Sequence, residues 1–276
     1  MVESRGLTRD FLVRTPELAL ADVRCRCGRG SWSAPEATTG YGIVFVRRGC
    51  FERSVDGVST LVDPTLVYFE RPDDEQRIAH PSDGGDSCTA LYLSSELIAT
   101  TWGGEPALPS DPVPTTPQVD LRHRLLLAAA SRPSKDEFAL TEQFVSLVSE
   151  VLSSADGRRV AAGRPSTDGA RRKVVDDARG LLGERPGITL VELARTVAVS
   201  PHHLSRIFRS LTGETISRYR NRLRVRLALE RLSEGEPSLS RLAVDLGFSD
   251  HAHLTRVLRG EVGAPPSRLR DRLVTP

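Results

Sequence analysis

TLVELARTVAVS (189–200) and SLSRLAVDLGFS (238–249) are two copies of one pattern, and that repetition decides the fold of the C-terminal part. Leu190, Leu193, Ala194 and Val197 fall at offsets 0, 3, 4 and 7; Leu239, Leu242, Ala243 and Leu246 repeat them 49 residues later. After one further residue the match resumes, with HLSRIFR (203–209) against HLTRVLR (253–259), now 50 residues apart. Gly213 and Gly263 keep the same register. Apolar positions three and four apart line one side of a helix. Each copy therefore reads as a short amphipathic helix, a tight turn (AVS or GFSD), and a second helix capped by Ser200 or Asp250. This is a helix-turn-helix, present twice.

The free side of each second helix follows from its apolar side. Leu204, Ile207, Phe208 and Leu211 turn inward in the first copy, which leaves His202, Ser205, Arg206 and Arg209 opposite. In the second copy Leu254, Val257 and Leu258 are the core set. Ala252, Thr255, Arg256 and Arg259 are left outside, with His251 at the helix start. An α-helix fits the major groove of DNA, where Arg bonds bidentately to guanine, Ser and Thr bond to several bases, and Ala or Thr methyls pack on thymine. Most exposed arginines are merely solvated; the same exposed pattern twice in a basic segment argues for double-stranded DNA as the partner. Between the copies, ETISRYRNRLRVRLALERLSEG (214–235) has no breaker before Gly235 and reads as one helix. Its length of about 30 Å is close to the roughly 34 Å between successive major-groove faces on one side of the duplex. Arg218, Arg220, Arg222, Arg224 and Arg226 cannot share one face, so some are expected on phosphate and others inside the protein.

The rest of the chain has a different character. Its 276 residues fit about two domains, and 39% apolar with 27% charged residues excludes wholesale disorder. Residues 1–168 hold 18 Lys+Arg against 24 Asp+Glu, a balance of −6; residues 169–276 hold 20 against 12, a balance of +8. An acidic front joined to a basic back again points the back at a polyanion. No stretch approaches the roughly 18 apolar residues of a membrane helix, and MVESRGLTRDFLVRTPE at the N-terminus has no apolar leader core. A cytoplasmic chain with no membrane partner is expected.

Within residues 10–95, TGYGIVFVRRG (39–49), DPTLVYFERP (63–72) and SCTALYLSS (87–95) read as short strands closed by turn residues. That spacing favours a small barrel or sandwich. Residues 103–118 read as a loop. Phe138, Leu140, Phe144, Leu147, Val148, Val151 and Leu152 then mark a helix over about 135–154 whose stripe is a candidate dimer interface. The expected organisation is α+β: a strand-rich sensing and dimerisation domain over 10–155, a polar linker over 156–169, and an all-α DNA-binding domain over 170–273.

Residues 171–272 resemble the DNA-binding domain of the AraC/XylS family of transcription regulators. The resemblance rests on LVELARTVAVSPHHLSRIFRSLTGETISRYRNRLRVRLALERL and SRLAVDLGFSDHAHLTRVLRGEVGAPPSRLR. The GFSD turn, the Arg224–Ala228–Leu232 spacing and the closing Gly263–Pro266–Arg270 spacing follow the family pattern. Leu254 and Leu258 stand where the family often has Phe, and Pro201 with His202–His203 opens the first recognition helix in an uncommon way. The resemblance implies base reading by His202, Ser205 and Arg206 in the first unit and by His251, Ala252, Thr255 and Arg256 in the second. It also implies an N-terminal cupin-like barrel that takes an unidentified effector, helices that form a homodimer, and contact with RNA polymerase, more often in activation than repression.

Other chemistries find less support. There is no nucleophile elbow, zinc-protease helix or phosphate loop, so an enzyme has no motif behind it. A cupin-type metalloenzyme fused to the DNA-binding half is the alternative, but its strands need clustered histidines and the front half offers only His80 and His123. A DNA-repair methyl acceptor with a four-cysteine zinc module is a third reading. Cys25, Cys27, Cys50 and Cys88, with 1, 22 and 37 residues between them, do not make its two close pairs. All four cysteines nevertheless lie in the front half. If 21–27 is a strand, Cys25 and Cys27 face the same way, and paired strand ends could gather Cys50 and Cys88 beside them, with His80 able to replace one. A thiolate-bound metal such as zinc, or a redox-labile cluster, is the expectation there; four small buried side chains is the plain reading.

Overall fold

The computed structural model describes residues 6–30, 32–102, 108–159 and 169–274. The chain divides into two compact units, one within residues 1–160 and one within 161–271.

Among the described residues, the N-terminal unit is built on ten strands: β1 (Leu7–Arg14), β2 (Leu18–Cys25), β3 (Glu36–Ala37), β4 (Tyr41–Arg48), β5 (Phe51–Val55), β6 (Val58–Val62), β7 (Leu66–Glu70), β8 (Glu75–Ala79), β9 (Asp86–Leu93) and β10 (Val113–Pro114). Helix α1 (Ser95–Trp102) follows β9, and α2 (Pro117–Ala130) and α3 (Glu137–Arg159) close the unit. Six strands form one sheet in the order β1-β2-β9-β4-β7-β10, and four form another in the order β3-β8-β5-β6. All pairings are antiparallel.

The larger sheet is apolar on both faces, and the alternation of side chains along each strand assigns them. Ala21, Val44, Val46, Cys88 and Ala90 pack with Phe51 and Val62 of the smaller sheet. Leu20, Ile43, Phe45 and Leu91 pack instead with Val119 and Leu126 of α2 and with Phe144, Leu147 and Val151 of α3. The helical stripe Leu140–Phe144–Leu147–Val151, a candidate dimer interface in the sequence, is therefore core within its own unit, with Phe144 only 1% exposed. The sheet needs a cover for its second apolar face, and this stripe supplies it. Helix α3 also runs on to Arg159. Residues 160–168 of the expected linker and 103–107 of the expected loop lie outside the described residues, while Val113–Pro114 of that loop pair with β7.

The C-terminal unit is all-helical. Its first half comprises α4 (Gly169–Glu184), α5 (Leu190–Thr196) and α6 (Pro201–Thr212); the rod α7 (Ile216–Ser233) joins it to α8 (Leu239–Asp245), α9 (His251–Val262) and α10 (Pro266–Leu273). Val175, Leu182, Leu193, Leu204, Phe208 and Tyr219 form the first core. Among the described residues, no helix is long and apolar enough to cross a membrane.

Candidate nucleic-acid interface

Both second helices begin and end as their sequences demand. The Ser200 hydroxyl accepts from His203 N (3.2 Å) with Pro201 in the first turn of α6, and the Asp250 carboxylate accepts from His253 N (2.7 Å) at the start of α9. That backbone bond is the main cause holding the Asp250 carboxyl below its ordinary range. Gly213 and Gly263 end the helices in the left-handed region, at φ +77° and +78°, where a side chain is disfavoured.

Leu204, Ile207 and Phe208 anchor α6, and Leu254 and Leu258 anchor α9. Opposite them His202, Ser205, Arg206 and Arg209 are exposed; on α9, His251, Ala252, Arg256 and Arg259 are exposed and Thr255 half-buried. Arg206 Nη2 lies 3.2 Å from His203 Nδ1, and Thr255 Oγ1 lies 3.4 Å from His251 Nε2, so each outer face is partly ordered by its own turn. His253 serves the turn instead. Its Nδ1 meets Ser249 Oγ at 3.1 Å and its ring stands edge-on to Phe248, which stiffens the approach to α9.

Beside α6 lies a cleft of about 880 Å³ whose wall includes His202, Ser205, Arg206 and Arg209. Ser217 and Arg220 of α7 complete it, two polar residues that the sequence patterns did not single out for this groove. The signal was available, since a rod that starts beside a recognition helix must turn its first residues toward the same groove.

The arginines of α7 divide as their crowding requires. Arg218 is the exposed one, its side chain 78% accessible. Arg220 donates to Ile188 O (3.4 Å) and Arg222 pairs with Glu214. Arg226 is fully buried and donates to Arg222 O (3.1 Å). Arg224 donates from Nε and Nη2 to Pro186 O (2.9 and 2.6 Å) and stacks over Phe248, its guanidinium carbon 5.6 Å from the ring centre. It thus ties the loop before α5 to the turn of the second helix-turn-helix. Burial lowers its pKa to about 10. At the same junction Gly247 (φ +73°) meets Gly187 so closely that a Cβ there would sit 2.5 Å from Gly187 Cα.

In the N-terminal unit the remaining candidates separate. Cys25 and Cys88 are buried and Cys27 and Cys50 half-buried, and no disulfide joins them. The sulfurs of Cys25 and Cys27 and a ring nitrogen of His80 lie within 4.8 Å of one another; Cys50 and Cys88 are not in that group. Strand β2 ends at Cys25 instead of running to Cys27, and Cys27 N donates to Cys25 Sγ at 3.3 Å, which holds these two together. Cys88 lies two residues beyond Asp86 on β9, roughly 7 Å further along the strand, and packs with Val46 and Phe51. Cys50 sits in the tight turn between β4 and β5. His123 is on α2, buried and stacked on Phe45 at 4.4 Å, and so contributes nothing to a histidine cluster on the strands.

Residues 193–272 match the family described as a helix-turn-helix domain. The chain is 30% identical over 95 residues to the probable transcription factor PqrA of Proteus vulgaris, covering 34% of this chain and 78% of that one. It is 31% identical over 88 residues to a putative AraC-like transcription regulator of Streptomyces lividans, covering 32% of this chain and 29% of that one. With the transcriptional activator RhaS of Escherichia fergusonii the match is 22% over 239 residues, 84% of this chain and 85% of that protein.

Proposed function

This chain belongs to the AraC/XylS family of transcription regulators, and on that premise we propose that it reads its operator with the outer faces of α6 and α9. It is a DNA-binding regulator of transcription. The observation that carries the reading is the duplication, within one compact unit, of a capped helix whose inner face is apolar and whose outer face carries two arginines. Arg206 and Arg256 are assigned to guanine, with Ser205, Thr255, His202, His251 and Ala252 contacting neighbouring base edges. Arg209, Arg259 and the exposed Arg218 are assigned to the flanks and phosphates.

The N-terminal unit receives the controlling signal. Between its two sheets lies a cleft of about 420 Å³ whose lining includes Arg9, Glu36, Glu70, Gln76 and Tyr92. Burial raises the Glu70 carboxyl above its ordinary range and the Tyr92 hydroxyl to about 12, so the cleft offers hydrogen bonds from groups that resist ionisation. The protein works in the cytoplasm as a homodimer and activates transcription through RNA polymerase, in keeping with the activator named among its relatives; its role is regulatory, not catalytic. Selection of genomic fragments by the purified chain tests the reading. An enriched motif with two clusters of preferred bases about one helical turn (roughly 10 base pairs) apart is expected, and the absence of any enriched motif contradicts it.

A further inference from the structure

We propose that Cys25, Cys27 and His80 form a binding site for a thiophilic divalent cation of the zinc class. Their three ligand atoms lie within 4.8 Å of one another. Zinc bonds of about 2.3 Å to sulfur and 2.0–2.1 Å to nitrogen, set tetrahedrally, place ligand atoms roughly 3.5–3.8 Å apart. Closure by about an ångström is the most that binding asks, and side-chain rotation supplies it.

The fold assembles the three from separate elements. Cys25 ends β2, and Arg26 N donates to Gly6 O (2.8 Å), which carries the β1–β2 register one residue past the strand. The next segment is then fastened along residues 78–83. Arg29 N donates to Asp83 Oδ1 (2.8 Å), Gly30 N to His80 O (3.3 Å) and Ser33 N to Ile78 O (2.8 Å). These bonds bring Cys27 alongside His80. The far end of the loop is pressed onto Cys25 itself. Gly85 has φ +64°, and a Cβ there would lie 1.9 Å from Cys25 O, so only glycine allows the approach. Nothing in DNA recognition by α6 and α9 requires this convergence.

A carboxylate orients the imidazole. Asp86 faces Cys25 across the β2–β9 ladder, and its Oδ2 lies 2.6 Å from His80 Nε2. Its Oδ1 accepts from Cys88 Sγ at 3.3 Å, so the fourth cysteine steadies the orienting carboxylate and stays outside the ligand set. A histidine held by a carboxylate at one nitrogen and offering the other to a metal is a recurrent arrangement around zinc. The donor set suits the cation. Two thiolates and a neutral imidazole balance a divalent charge in a place where Cys25, His80 and Asp86 are each under a tenth exposed, and soft sulfur selects zinc-class ions over magnesium or calcium. Both thiols release their protons to solvent on binding, and the fourth coordination position is left to water or an added ligand.

Cobalt(II) titration of the full chain, reduced without thiols and freed of metal by chelation, tests this. One equivalent should saturate, with thiolate-to-cobalt charge-transfer bands that zinc then abolishes. Cys25→Ser and Cys27→Ser should lose the bands, Cys50→Ser should keep them, and Asp86→Asn should bind about 10–100-fold more weakly. Alkylation with peptide mapping needs no variant: zinc should protect Cys25 and Cys27. Absence of saturable cobalt binding, or protection confined to Cys50 and Cys88, overturns the proposal. The readout is metal occupancy alone, so its failure leaves the DNA-binding function untouched, and failure to bind DNA leaves the metal site intact.

Discussion

Replacing Gly247 by alanine should unhinge the two helix-turn-helix halves from each other. Gly247 sits at φ +73°, where an L-residue costs about 1–2 kcal/mol. Its new Cβ would also lie 2.5 Å from Gly187 Cα and 3.1 Å from Gly187 N, both backbone atoms that cannot rotate aside, and 2.6 Å from Arg224 Nη2. Relief requires the turn before α9 to move off the loop before α5, which strains the Arg224 bonds to Pro186 O. Two such bonds from a charged donor are each worth about 1.5–3 kcal/mol, so a total loss of about 3 kcal/mol or more is expected. Three controls separate the causes. Gly213→Ala and Gly263→Ala share the positive φ but meet nothing within 4 Å, and should cost about 1–2 kcal/mol. Gly187→Ala approaches Gly247 Cα at an ordinary 3.6 Å and lacks the positive φ, so it should be nearly neutral. Thermal unfolding followed by helical circular dichroism reads the series, at about 4–8 °C per kcal/mol for a unit of this size. If Gly247→Ala is no worse than Gly213→Ala, the close approach is not what the glycine serves.

The α3 stripe, core where the sequence alone allowed an interface, gives a second test: Phe144→Ala should destabilise the N-terminal unit by about 3–5 kcal/mol without specifically dissociating the protein. Unchanged melting with conversion to monomers in sedimentation would restore the stripe to an interface. The pH dependence of the C-terminal unit follows from its caps. Thr189 bonds hold the Glu192 carboxyl, and the His253 N–H the Asp250 carboxyl, below their ordinary values of 4.5 and 3.8. A depressed folded pKa stabilises above the unfolded value and is lost as pH falls through the folded one. Urea midpoints of this unit should therefore fall below about pH 4.5, and Asp250→Ala should flatten the profile; a wild-type advantage over Asp250→Ala that persists unchanged to about pH 2 would contradict this.

The C-terminal unit was legible because its information is local and stated twice. Ser200 and Asp250, Gly213 and Gly263, and the apolar offsets within each copy depend only on neighbours along the helix, and the repeat distinguishes pattern from chance. The inner and outer faces of α6 and α9 follow from the same spacing. The arginines of α7 were legible only as a group, since which of them turn inward depends on Pro186 and Phe248, far away in sequence. The N-terminal unit was harder to read because both faces of its larger sheet are covered. Tyr41–Val46 of β4 are buried without a break, so alternation could not tell the inter-sheet face from the helix-covered one. For the same reason the destination of the α3 stripe was hidden. The cysteines show the limit most clearly: which of the four join His80 depends on Gly85 and on hydrogen bonds between segments some fifty residues apart, and no local pattern announces either.

The central claim, that α6 and α9 are the helices that read DNA, is tested most directly by repeating the fragment selection with Arg206→Ala and Arg256→Ala beside Arg218→Ala, each with a salt titration. Each of the first two should cost about 1–3 kcal/mol and relax preference at its own base pairs, at positions belonging to different halves of the motif. Arg218→Ala should weaken binding to all sequences alike and reduce the salt slope by about one. Full affinity and unchanged selectivity in both Arg206→Ala and Arg256→Ala would contradict the account.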